Sequence, residues 1–160
     1  AGYSDTAAGL AAFGVFSAGG AGSFLAGIWA DKIGRTRITS IALGVSGTCC
    51  LIAGLFLNQP ILLTMVCLIW GVAVIADSAQ FSAAVSELAD SRYVGTALQV
   101  QTSLGFLLTL VTLQLTPILI DKVGFEWVFL LLIPGPIVGI VSMLKLRSDP
   151  RSSQMASGNR

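Results

Sequence analysis

GIWADKIGRTR, residues 27–37, places Asp31, Lys32, Arg35 and Arg37 between two long apolar runs, 8–30 and 38–57. No charge interrupts either run. Across all 160 residues, 54% are hydrophobic and only 11% charged, with a mean hydropathy of +0.85. A water-soluble domain carries roughly 25% charged residues. One water-surrounded core cannot hide such uninterrupted stretches, so the solvent around this chain is lipid.

Outward from residues 27–37, the chain divides into five stretches that each reach the roughly 20 residues needed to cross a bilayer. They are 8–30, 38–57, 60–88, 94–120 and 125–146. Ser4-Asp5-Thr6 supplies a helix start before the first. Pro60 suits the first turn of the third. The expected architecture is therefore an all-α, polytopic membrane helix bundle over residues 1–147. The polar segment 148–160 is expected to be a disordered tail.

Lys and Arg set the orientation. With alternating spans, one side holds Lys32, Arg35, Arg37, Arg92, Lys145, Arg147, Arg151 and Arg160, and the other only Lys122. The 31–37 turn, the 88–93 turn and the tail are accordingly expected on the cytoplasmic side of a plasma membrane. A net charge of +1 argues against a nucleic-acid partner. Cys49, Cys50 and Cys67 lie inside apolar runs, and with no histidine present no metal set is expected. Nor does any cofactor loop or nucleophile–base pair suggest an enzyme.

Gly27, Asp31, Lys32, Gly34 and Arg35 match, in spacing, the cytoplasmic loop signature G-x-x-x-D-[RK]-x-G-R-[RK]. The chain resembles the major facilitator superfamily. It departs from the signature at Thr36, the second basic residue coming one place later as Arg37. SELADSRYVGTALQ, residues 86–99, is similar to a second cytoplasmic link of that superfamily, with Glu87, Asp90 and Arg92 as its charges. Three further spans and a basic tail follow the signature, so the five spans resemble helices eight to twelve of a twelve-helix transporter. The resemblance implies rocker-switch alternating access for a small solute, a missing amino-terminal half as partner, and a cytoplasmic latch built on Asp31 and its arginines. Within that latch, Arg35 or Arg37 is expected to pair with Glu87 or Asp90, and Arg92 with Asp31 or Asp90. The alternative is a structural or regulatory membrane protein that reuses the fold without transport.

Polarity inside the spans separates the helices. The first carries small residues at Gly14, Ala18, Gly22 and Ala26, a smooth face for a neighbouring helix. The second and fifth read as outer helices, and PGPIVG at 134–139 predicts a kink plus a close contact at Gly135 and Gly139. On the third, Trp70, Ala73, Asp77, Gln80, Phe81 and Ala84 form one stripe. Asp77 is the ionisable residue well inside a span. At 1.5 Å per residue from Pro60, Trp70 lies roughly 15 Å deep and Asp77 roughly 25 Å. The expected roles follow from those depths. Trp70, Thr102 and Phe106 line a solute path, and Asp77, Gln80 and Gln99 form a gate or proton site below it.

Overall fold

The computed structural model describes residues 3–159. Five helices account for the apolar stretches: α1 (Asp5–Ile33), α2 (Arg35–Ile52), α3 (Pro60–Leu88), α4 (Val94–Val123) and α5 (Pro134–Ser148). No strand occurs among the described residues. Tight 3-10 turns at Ala53–Phe56 and Val128–Leu132 extend the second and fifth spans, so each of the five is long and apolar enough to cross a membrane. The large apolar side chains point outward, among them Phe13, Phe16, Phe24, Phe106 and Leu108. That inversion is what a hydrocarbon surrounding requires.

Local chemistry sets the ends. The Ser4 hydroxyl accepts from the Ala7 N–H at 3.3 Å and caps α1. Pro60 opens α3, where its missing N–H has no helical partner to lose. Tyr3 fastens the two starts together by donating to the Pro60 carbonyl at 2.7 Å. Gly34 alone separates α1 from α2. Its φ of +112° is open to glycine but costly for a side-chain-bearing residue, and its N–H still closes on the Ala30 carbonyl at 3.0 Å. Pro134 starts α5 instead of bending its middle; the kink takes the form of the 3-10 turn just before it.

The helices meet through glycine. α3 packs against α1 and α2, and α5 against α2. A Cβ on Gly71 would stand 2.5 Å from Val15 Cγ1 and 2.9 Å from the Val15 carbonyl oxygen; one on Gly19 would stand 2.8 Å from the Gly71 carbonyl. Lipid offers no hydrophobic drive for helix association, so such backbone approach supplies much of the attraction. The seam on α1 runs through Val15, Gly19, Gly22, Ala26 and Ala30, in steps of four, three, four and four. The strict four-residue row from Gly14 drifts off this line because a helix turns once per 3.6 residues. On α5, Gly139 lies against Leu43, while Gly135 faces open space. At the opposite end from Gly34, Gly54 sits directly on the Glu126 backbone.

The tail departs from the expected disorder. Pro150–Gly158 forms 3-10 turns broken by a kink at Met155, Ala156 and Ser157, and Ser152 and Met155 are completely buried. Met155 supplies an apolar anchor that the polar composition of the segment conceals. Arg160 lies outside the described residues.

Adding one methyl group at the α1–α3 crossing tests this packing. Gly71→Ala should cost about 1–3 kcal/mol through overpacking. Gly20→Ala, which meets nothing within 4 Å, should be neutral or stabilising, since alanine is the better helix former. Thermal unfolding in detergent, followed by a thiol-reactive dye on buried Cys49 and Cys50, reads both.

Candidate functional site: a buried arginine cluster

Because Gly34 is a one-residue turn, Arg35 stands at the first position of α2 with its side chain directed across the end of the bundle. Only 9% of Arg35 is exposed. Its guanidinium donates to Glu87 through Nε (2.8 Å to Oε2) and Nη2 (2.6 Å to Oε1), a bidentate fork. Nη1 donates to Gln80 Oε1 at 2.8 Å, and Nη2 also reaches Asp31 Oδ1 at 3.0 Å. One side chain thereby joins the end of α1, the start of α2 and the last two turns of α3. Gln80, Ala84 and Glu87 lie on one stripe of α3, four and then three residues apart.

The same end holds a second, weaker pair. Arg92 Nε lies 3.4 Å from Asp90 Oδ1, which also accepts the Arg92 backbone N–H at 3.0 Å. These bonds hold the Asp90 carboxyl below its ordinary range. Asp149 and Arg151 repeat the arrangement after α5, with the N–H at 2.8 Å and the Asp149 carboxyl likewise lowered. Both pairs are exposed, where screening leaves an ion pair little net value. Arg35 is the energetically significant one, because unpairing a buried charge is far costlier.

The remaining residues of the signature divide by exposure. Lys32 and Arg37 are exposed and enter no ion pair among the described residues. Asp31 is largely exposed, its side chain 63% accessible. A Cβ on Gly27 would meet nothing within 4 Å, so no contact in this chain demands glycine there. Thr36 is 1% exposed. A basic residue at that buried position would add a cation without a partner beside the paired Arg35, whereas Arg37 is exposed.

Deeper in the bundle, Trp70 and Asp77 line one cavity of about 540 Å³ with Ser46, Cys67 and Pro136. Trp70 Nε1 donates to Ser46 Oγ at 3.1 Å, and its ring meets Phe129 edge-on at 5.9 Å. Asp77 is 8% exposed, and its carboxylate accepts from the neighbouring Ser78 hydroxyl at 3.2 Å. No residue of α4 lines this cavity. Phe106 is 69% exposed, and Thr102 and Gln99 are exposed as well. The structure therefore does not bring these three to Trp70 or Asp77. Gln80 goes to Arg35 instead of joining Asp77 and Gln99, a charged donor being the stronger partner. The glutamine of α4 that does meet α3 is Gln101, whose amide donates to Ser82 Oγ at 3.3 Å.

The Major Facilitator Superfamily profile matches residues 1–159. The chain belongs to the Major Facilitator Superfamily. Members of the superfamily are transporters, and with five apolar spans this chain is a multi-pass membrane protein of the major facilitator type. No curated protein and no solved structure matches it significantly. Arg35, the arginine of the 27–37 stretch that fits the signature spacing, is the centre of the buried cluster.

Arg35→Ala should lower stability by about 3–5 kcal/mol, because Glu87 and Gln80 lose a buried charged partner. Arg35→Lys should recover only part of the loss, since an ammonium cannot form the fork to Glu87 while also reaching Gln80. Arg92→Ala should leave the detergent melting curve unchanged, so the ratio between the two sites decides the assignment.

Proposed function

We propose that this chain is the carboxy-terminal part, helices eight to twelve, of a secondary transporter that moves a small solute across the plasma membrane by rocker-switch alternating access. The observation that carries the reading is the Arg35 cluster. A rocking mechanism rotates one half of the protein against the other as a rigid body, and such a half needs its helix ends fixed to one another. Arg35 ties α1, α2 and α3 at one end with four hydrogen bonds to three side chains. Asp31, Lys32 and Arg37 stay exposed beside it, available to an opposing half.

In this reading the buried part of the signature is scaffold and the exposed part is latch. Asp31, Lys32 and Arg37 make and break contacts with the amino-terminal half as the cytoplasmic end closes and opens. The concentration of Lys and Arg at this end supports a cytoplasmic placement. Asp77 is the candidate proton site: a carboxylate at that depth needs water, a cation or a proton, and its hydrogen bond to Ser78 supplies none of them.

The intact protein in liposomes, assayed against a panel of small solutes with and without an inward proton gradient, tests the proposal. Gradient-stimulated uptake is expected for at least one solute. Asp77→Asn should abolish the stimulation, and unchanged stimulation would remove the proton role. Uptake no greater than that of empty liposomes across the whole panel would favour the non-transporting alternative.

A further inference from the structure

The segment after α5 does not trail away from the bundle. The body of α5 packs on α2, but residues 150–158 cross to α3 and α1 at the Arg35 cluster. The crossing is pinned at both chain ends. At its start, the Asp149 carboxylate caps the turn through the Arg151 N–H at 2.8 Å, and the Ser152 hydroxyl donates to the Arg147 carbonyl at 3.3 Å. At its far end, the Ala156 N–H donates to Glu87 Oε2 at 3.3 Å, and Asn159 Nδ2 donates to the Asp31 carbonyl at 2.7 Å. Met155 between them is wholly buried.

Two features make this docking specific. The cluster has two carboxylates, Asp31 and Glu87, around one buried guanidinium, so it has acceptor capacity to spare. The tail meets the Glu87 carboxylate with a neutral donor, the Ala156 N–H, while Asn159 takes the Asp31 backbone carbonyl. Its backbone also adopts a left-handed path, φ +46° at Ala156 and +56° at Ser157. Non-glycine residues hold that conformation only where surroundings impose it. Here it is what turns the Ala156 N–H onto Glu87 beside the buried Met155.

We propose that residues 149–159 are a strap that locks this end of the bundle by binding Glu87 and Asp31, so that release of the strap precedes opening of the end. The inference rests on the reading that this end opens during transport. The strap adds a link from the end of α5 to α3 and α1 at the cluster itself, whereas the helix bodies join these pairs only through contacts of α2 with α1 and α3. It is anchored on Glu87, the same carboxylate that holds Arg35.

The test needs no solute. Cys49, Cys50 and Cys67 are replaced by alanine in the full-length protein, and Ala84→Cys is introduced as reporter. Ala84 is 5% exposed and lies between Gln80 and Glu87 on the α3 stripe. Its labelling by a water-soluble maleimide in membrane vesicles reports opening of this end. Ala156→Pro removes the N–H donor and forbids the positive φ, and should raise the labelling rate at least about fivefold. Ala156→Gly keeps the donor and relieves the backbone, and should leave the rate unchanged or lower it. Arg35→Gln should raise the rate as well. If Ala156→Pro has no effect while Arg35→Gln does, the strap is refuted and the opening stands. If neither variant changes the rate, both the strap and the opening are refuted. Should Ala84→Cys fail to accumulate, Met155→Cys decides: protection relative to exposed Ser153→Cys supports the strap, and equal rates overturn it.

Discussion

A guanidinium carries five N–H donors and no acceptor. Taken out of water at the end of an apolar bundle, it dictates where its partners must be. Arg35 sits where it does because Gly34 permits a one-residue reversal between α1 and α2. From there its donors fix α3. Glu87 and Gln80 both face it, seven residues apart on one stripe, and sliding α3 by one residue would rotate that stripe by about 100°. The arginine therefore sets the rotation of α3 about its own axis, and α3 is the helix on which α1 and α2 both pack. Apolar contacts between uniformly greasy helices could not set that rotation alone.

Close packing then completes what the ion pairs begin. At Gly19, Gly22 and Gly71 the α1–α3 interface has no room for a further methyl group without displacement, and Gly54 touches the Glu126 backbone. These contacts are short-ranged and sensitive to register. The charged fork is longer-ranged and directional. The two operate at different levels along the same helix pair: the glycine crossing lies well inside the spans, and the arginine lies at their ends. Together they restrain tilt and rotation.

The sequence discloses the helices almost completely, because an apolar run of more than 20 residues has one stable form in lipid. It discloses the Gly34 turn as well, since glycine spacing and charge coincide there. Other features were hidden, for identifiable reasons. Lipid and protein neighbours are equally apolar, so periodicity does not say which side of α4 faces its partners; the stripe through Gln99, Thr102 and Phe106 turns out exposed, and Gln101 makes the contact. Gln80 was readable as polar and inward, but its preference for Arg35 over Asp77 depends on the crossing geometry of α2 and α3. The docked tail was the least legible element. Its composition is that of a solvated segment, and its single anchor, Met155, has no periodic companion.

The buried polar residues are thus treated in two ways. At the bundle end, Arg35 has a partner on every side, and Glu87 accepts from both the guanidinium and the tail. Inside the spans, Asp77 has one neighbouring hydroxyl and faces a cavity with Trp70. Fully paired groups rigidify a structure, because every movement breaks a bond in a low dielectric. A carboxylate with most of its acceptor capacity unused does the opposite, since its lowest-energy partner depends on what enters the cavity. The same economy of charge that stiffens the end of this bundle leaves Asp77, in its middle, with most of its acceptor capacity unused.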